Sequence, residues 1–180
     1  MVNNYQILLG LGSNIGNKLN YIQKSITLLY TKSIVTDITI SNIYESTALL
    51  TKDAPSAWNK NFYNLCINGK TTLTPTQLLK QIKEVEKAVG RISRSNWAPR
   101  EIDIDILLYD NIEFTSKDLS IPHKHFLDRD FTILPANDLI PNYKYPKPGI
   151  YYHKTIKEIL SSKKIEHSKC WKTHHIITTP

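Results

Sequence analysis

Two carboxylates stand one residue apart in the run Ile102-Asp103-Ile104-Asp105-Ile106-Leu107-Leu108. Apolar and acidic residues alternate there with period two, the pattern of a half-buried strand. The alternation predicts Ile102, Ile104, Ile106 and Leu108 on one face and Asp103 and Asp105 on the other, about 6.6–7 Å apart at Cα. Carboxylates so placed, with no lysine between them, repel each other unless a cation joins them. Immediately upstream, Arg91, Arg94 and Arg100 surround Trp97 and Pro99, a basic loop suited to a polyanion. A cation site beside a polyanion loop points to a metal–nucleotide complex. Taken alone, the strand reads equally well as an edge strand with a solvated acidic face.

These groups need a scaffold, and the chain supplies one in order. Tyr5–Leu11 reads as a buried strand ending in a Gly-rich turn, Gly10-Leu11-Gly12-Ser13-Asn14-Ile15-Gly16. Its glycines match neither the dinucleotide fingerprint nor the phosphate loop, so a backbone role is preferred. Leu19, Ile22, Ile26 and Leu29 recur at helical spacing after a cap near Asn17. Ser33–Ile43 reads as a strand and Tyr44–Ser56 as a turn-rich loop. Asn61–Lys70 is a further strand, with Tyr63, Leu65 and Ile67 on one face and Phe62, Asn64 and Cys66 on the other. A ring and an amide two residues apart suit a flat heterocycle, although a partly buried Phe beside an Asn is a common structural pair.

Thr74–Val89 is the clearest helix: Thr74 caps it, Pro75 opens it, Gln77 completes a capping box and Gly90 ends it. Glu86, in the last turn, faces an unfavourable helix dipole and calls for a cationic partner such as Arg91, unless it reaches solvent. Farther on, Pro122-His123-Lys124-His125 leads into Arg129 and Phe131. A His-x-His pair without a third ligand is weak support for zinc, and an exposed pair explains it as well. Pro135–Gly149 reads as a proline-rich loop, Thr155–Leu160 as a short helix and 161–180 as a basic peripheral tail, so the expected division is a domain over 1–160 and a tail or linker over 161–180.

The totals agree with one globular domain. The chain has 180 residues, 41% of them apolar, and a formal net charge of +7 that favours an anionic partner. Cys66 and Cys170 offer neither a disulfide framework nor metal-ligand spacing, which suits a reducing cytoplasm. The N-terminus lacks the basic region of a signal peptide, and no apolar run approaches the ~20 residues of a membrane span.

The run from Trp97 to Leu107 resembles the signature of the 6-hydroxymethyl-7,8-dihydropterin pyrophosphokinases of folate biosynthesis. The resemblance also includes Gly12-Ser13-Asn14, Tyr44-Glu45-Ser46, Phe62-Tyr63-Asn64, Gly90-Arg91 and Ile121-Pro122-His123 with Arg129 and Phe131, in order, over roughly Tyr5 to Leu160. It implies an α+β fold, a ferredoxin-like antiparallel sheet with packed helices in α/β/α layers. It implies transfer of the pyrophosphoryl group of ATP to the pterin hydroxymethyl oxygen, leaving AMP. By similarity, Asp103 and Asp105 hold two Mg²⁺, and Arg91 and Arg100 join them as catalytic groups. Glu86, Arg91, Arg94, Trp97, Arg100, Ile106, His123 and Arg129 form the ATP side. Ser46, Thr47, Leu49, Phe62, Asn64, Trp97 and Phe131 form the pterin side. The loops Gly12–Asn17, Tyr44–Ser56 and Arg91–Pro99 are expected to close over the substrates, with Trp97 in the lid.

Strand parity adds an expectation of its own: Phe62 and Asn64 should stand on the same sheet face as Asp103 and Asp105. Two departures stand out. Asn96 occupies a position that is usually basic in the family, and Glu101 is an acid the family does not ask for. Some members are fused to dihydropteroate synthase, and the terminal IITTP fits a linker to such a partner. A nucleic-acid-binding module is the competing class, but the chain lacks an RNP-type aromatic run and the Asp pair would repel phosphates unless metal-loaded. A structural ferredoxin-like interaction domain leaves the arginine–aspartate stretch unexplained.

Overall fold

A computed structural model describes residues 3–95, 97–165 and 169–180. Eight strands and four α-helices follow in the order β1 (Tyr5–Ser13), α1 (Lys18–Thr31), β2 (Thr36–Ile40), β3 (Tyr44–Ser46), β4 (Phe62–Thr71), α2 (Pro75–Val89), β5 (Asp103–Tyr109), β6 (Phe114–Thr115), β7 (Ser120–Ile121), α3 (Asp130–Leu139), α4 (Ile156–Ser161) and β8 (Cys170–Lys172). Six strands form an antiparallel sheet in the order β5-β1-β4-β3-β8, with β2 also pairing β4; β6 and β7 form a separate ribbon. The α+β, α/β/α-layered reading is therefore correct.

One face of the sheet is fully covered. Leu9, Leu11, Leu65, Ile67, Ile104 and Ile106 pack there against Ile22, Ile26 and Leu29 of α1 and Leu78, Ile82 and Val85 of α2. The amphipathic stripes of the two helices supply this core. Caps fix the ends: Asn17 accepts the Asn20 amide, Thr74 and Gln77 form their capping box, and Gly90 closes α2 at φ 111°.

The other face is only half covered. Leu8, Cys66, Leu107 and Leu108 pack against Ile133 and Ala136 of α3 and Ile156 and Ile159 of α4. Beyond that cluster β5, β1 and β4 continue uncovered on this face, and that uncovered end is the cleft. β5 reaches it by a bulge: Leu8 pairs Leu108 but Leu9 pairs Ile106. The extra residue, Leu107, ends the strict alternation, so Leu108 joins the α3/α4 core instead of the face of Ile104 and Ile106.

Several boundaries differ from those read in the sequence. β1 runs through to Ser13, so Gly10 and Gly12 lie inside a strand and only Gly16, at φ 65°, serves the turn. β2 is shorter than Ser33–Ile43, with Asp37 at φ 51° interrupting its ladder. Tyr44–Ser46 opens the supposed loop as a strand. Pro135–Gly149 reads as a loop, yet α3 runs on to Leu139 with Pro135 inside it; the helix tolerates the lost donor because Ile133, Pro135 and Ala136 are buried. Within the 161–180 tail, Cys170–Lys172 forms the outer strand of the sheet.

Candidate active site

The cleft has a volume of about 470 Å³ and an asymmetric floor. Register sets that floor. Gly12 of the central strand pairs Asp103 on one side and Asn64 on the other, and Gly10 pairs Asp105 and Cys66. Asp103, Gly12 and Asn64 thus form one lateral row on one face, and the parity expectation holds. A Cβ at Gly12 would approach Asn64 Oδ1 to 3.1 Å, and one at Gly10 would approach Leu107 Cδ1 to 3.2 Å. Glycine therefore keeps the ground clear between the two flanks.

Asp103 is held by two guanidiniums. Arg91 donates to Oδ1 and Arg100 to Oδ2, each at 2.6 Å. Arg91 is steered from behind by Glu86, which is 2% exposed and accepts from Arg91, from Lys83 and from the Ile104 amide. The cationic partner expected for Glu86 is present. Burial pushes the Asp103 carboxyl up, but Arg100 and Arg91 outweigh it and hold the group below its ordinary value. Asp105 differs. Among the described residues its carboxylate makes no hydrogen bond, and burial, then the Asp103 charge, raise its pKa to about 6.

The basic loop is fastened from within. Arg94 donates to both oxygens of Glu101, at 2.9 and 2.6 Å, and to the Pro99 carbonyl. Glu101 also accepts the Ile92 amide at 3.3 Å and is 7% exposed. The Arg94 hydrogen bonds lower the Glu101 pKa to about 2. Arg94 therefore spends its fork on a carboxylate and lines a recess beside the cleft rather than the cleft itself. Asn14 adds a second fastening. Its Oδ1 accepts the Arg100 amide at 2.8 Å, its amide N–H donates to the Arg100 carbonyl, and its Nδ2 donates to the Lys60 carbonyl. One buried side chain thus aligns the approaches to β4 and β5.

The opposite flank carries rings and an amide. Phe62, Asn64, Thr47 and Leu49 line it, with Phe131 of α3 across the opening. Asn64 Nδ2 donates to Ser46 Oγ at 2.9 Å in a buried bond. Ser46 therefore orients the amide without lining the cleft. His123, Arg129 and Trp97 also line the opening. The His123 amide is anchored to the Leu107 carbonyl, and Nδ1 accepts the His125 amide, which places the ring proton on Nε2. Burial, then Arg129, lowers the His123 pKa to about 4, so it is a neutral donor at pH 7. Trp97 is 48% exposed and adopts φ 70°, a left-handed backbone unusual for a bulky residue.

The family described as 7,8-dihydro-6-hydroxymethylpterin-pyrophosphokinase (HPPK) matches residues 8–141. The chain belongs to this family. It is 41% identical over 156 residues to the 2-amino-4-hydroxy-6-hydroxymethyldihydropteridine pyrophosphokinase of Aquifex aeolicus, covering 84% of this chain and 88% of that one. It is 40% identical to a folate synthesis bifunctional protein of Chlamydia caviae over 82% of this chain, but spans only 33% of that protein. A Plasmodium falciparum HPPK-DHPS triple-mutant structure shares the fold, with a TM-score of 0.67 at 20% identity over 88% of this chain and 41% of that one.

Membership sets the frame for the site, and the chain spans about a third of the length of the chlamydial bifunctional relatives it matches. Within that frame, the cleft brings together Arg91, Arg100, Asp103, Asp105, His123, Arg129, Trp97, Thr47, Leu49, Phe62, Asn64 and Phe131. Four residues assigned by resemblance stand elsewhere. Ser46 and Glu86 lie behind the lining, and Arg94 is paired to Glu101. Ile106 points its side chain into the α1/α2 core. Asn96 lies outside the described residues. Lys83, Lys124 and His125 also line the cleft, Lys83 and Lys124 being outside the residues singled out from the sequence. Lys83 was legible as the residue one turn before Glu86 on the same helix edge, and Glu101 as a third acid in the Asp parity.

The donor set also fits a hard cation. The described residues hold no group of three or more His, Cys, Asp or Glu side chains arranged as a metal site. Two carboxylates alone suit Mg²⁺, which keeps waters and completes its shell with phosphate oxygens. The unbonded, destabilised Asp105 carboxylate is the one that could receive such an ion with least rearrangement.

Proposed function

We propose that this HPPK family member transfers the β,γ-pyrophosphoryl group of ATP to the hydroxymethyl oxygen of 6-hydroxymethyl-7,8-dihydropterin within this cleft. The observation that carries the reading is the row Asp103–Gly12–Asn64, which sets a carboxylate and a neutral amide on one face, separated by a residue without a side chain. One flank suits a charged phosphate chain and the other a flat polar heterocycle. Asp103 and Asp105 would hold two Mg²⁺, which when bound supply charge neutralisation to the phosphate oxygens.

The chain's own residues do the remaining work. Arg91 and Arg100, released from Asp103, would grip the phosphates as bidentate donors that keep their charge. His123 would donate from Nε2, and Arg129 would add a further cation at the mouth. Phe62 and Phe131 would enclose the heterocycle while Asn64, held by Ser46, reads its edge. The Trp97 loop would exclude water, whose attack would divert ATP to hydrolysis. No general base is required where a loose phosphoryl-type transition state asks little of the nucleophile.

Among the described residues no helix is long and apolar enough to cross a membrane. Both cysteines are free and buried, which suits the cytoplasm. The bifunctional relatives support a covalent or associated folate enzyme, dihydropteroate synthase among the candidates. The test is AMP release from ATP with and without hydroxymethyldihydropterin and Mg²⁺. AMP should require both, and AMP formed equally without the pterin would refute the assignment.

A further inference from the structure

We infer that residues 169–178 are a positioning element for the heterocycle-binding flank. This segment lies beyond residues 8–141, the region that matches the family. The inference rests on the pterin assignment of the preceding section.

The geometry begins at β3. This strand is three residues long and presents Ser46, the hydrogen-bond partner of Asn64, with Thr47 and Leu49 following it along the cleft. A strand so short has little independent stability. Its inner edge pairs β4 through Tyr44↔Asn64 and Ser46↔Phe62. Among the described residues its outer edge is completed by β8 alone, through Tyr44↔Lys172, Glu45↔Trp171 and Ser46↔Cys170. Two bonds extend that pairing. The Thr47 amide donates to the Lys169 carbonyl at 3.0 Å, and the Thr173 amide donates to the Ile43 carbonyl at 2.8 Å.

The segment then crosses to the far side of the same flank. The His175 ring lies 5.0 Å from the Tyr63 ring, and its Nε2 bonds the Tyr63 hydroxyl at 3.0 Å. Tyr63 is the residue between Phe62 and Asn64. Ile177 packs on the core, and Thr178 exchanges hydrogen bonds with Gln23 of α1. The segment therefore grips both β3, which orients the amide, and the stretch of β4 that carries ring and amide. It makes no comparable contact with Asp103, Asp105, Arg91 or Arg100. Loosening it should blur the heterocycle pocket and leave the phosphate flank intact, because a binding group loses affinity when its support no longer fixes its geometry.

The full chain carrying Thr173→Pro, which deletes the amide donor to Ile43, provides the test, with His175→Ala as the milder second variant. Dissociation constants are measured for oxidised 6-hydroxymethylpterin at a saturating α,β-methylene ATP concentration, and for the nucleotide analogue alone. Pterin binding should weaken about tenfold in Thr173→Pro and less in His175→Ala, with nucleotide binding within about twofold of the parent. Hydrogen exchange of the 44–49 amides should quicken in both variants. Combination with Ser46→Ala should be less than additive, since both changes release the same amide. Unchanged pterin affinity in a folded variant, or an equal loss of both ligands, would overturn the inference. The pterin assignment fails separately if Asn64→Ala in the otherwise unaltered chain leaves pterin binding intact.

Discussion

The two flanks of the cleft are built by opposite means. The charged flank is a dense network drawn from neighbouring stretches of chain: Glu86, Arg91, Arg94, Arg100, Glu101 and Asp103 all fall within 18 residues, and each is paired. The opposite flank is neutral, and its parts come from β3 and the residues after it, from β4 and from α3, braced by β8. A site for a polyanion can be held by ion pairs that rearrange when the ligand arrives. A flat neutral ligand offers less charge to compensate, so its pocket must be shaped beforehand by backbone pairing. The contrast predicts that the two flanks will respond to different perturbations.

The largest effect should come from the one carboxylate on the charged flank without a hydrogen bond. Asp105→Asn should lower turnover by about a thousandfold or more, because the amide cannot replace a metal-binding carboxylate. It should also stabilise the free protein. The Asp105 pKa stands at about 6 against an ordinary value of 3.8, so the folded state binds more protons than the unfolded chain between those values. Aspartate stability therefore falls relative to the asparagine variant as pH rises through roughly 4 to 6. At pH 7.5 the variant should be more stable by on the order of 1–2 kcal/mol, and below pH 4 the gain should vanish. Thermal denaturation across pH measures this without nucleotide. A variant less stable than the parent at pH 7.5 would show that burial and the Asp103 charge do not strain the Asp105 carboxylate in the folded protein.

A smaller pair of effects should separate the flanks. Asn64→Ala should raise the pterin KM by about 10- to 100-fold and move the ATP KM little, since it removes a buried hydrogen-bonding edge. Arg100→Ala should do the reverse, raising the ATP KM and lowering kcat. If each variant disturbed both substrates equally, the division into a charged and a neutral flank would be wrong.

Legibility in the sequence follows the same division. Local chemistry is readable: the caps of α1 and α2, the apolar stripes, the Asp parity and the Glu86–Arg91 relation all involve residues close together in the chain. Strand parity even aligned Phe62 and Asn64 with the aspartates, because a sheet face is fixed by period two. What could not be read depended on distant partners. Gly10 and Gly12 look like turn residues until β4 and β5 flank them and their missing side chains become the cleft floor. The Leu107 bulge that turns Leu108 over exists only in the pairing with β1. Pro135 signals a loop until burial carries α3 past it. Cys170–Lys172, in a basic and polar tail, gains strand structure only from the outer edge of β3. Arg94 reads as a phosphate ligand until Glu101, seven residues away, takes its fork.

That last pairing supplies the smallest effect and the finest test of the charged flank. Glu101→Gln keeps the shape of the side chain and removes the charge that anchors Arg94 and the Ile92 amide. If the anchor holds the basic loop in register, the ATP KM should rise by about two- to fivefold with kcat little changed, because Arg91 and Arg100 keep their own partner in Asp103. Stability should respond in a defined window. The Glu101 pKa is lowered from 4.5 to about 2, so its contribution is complete above pH 4.5 and lost as pH falls from there toward 2. The Glu101→Gln protein should therefore lose that increment at neutral pH and show a flatter acid limb between pH 4.5 and 2. A tighter ATP KM in the variant would mean that Arg94, once freed, turns to the phosphates, and that Glu101 restrains a ligand rather than bracing the loop.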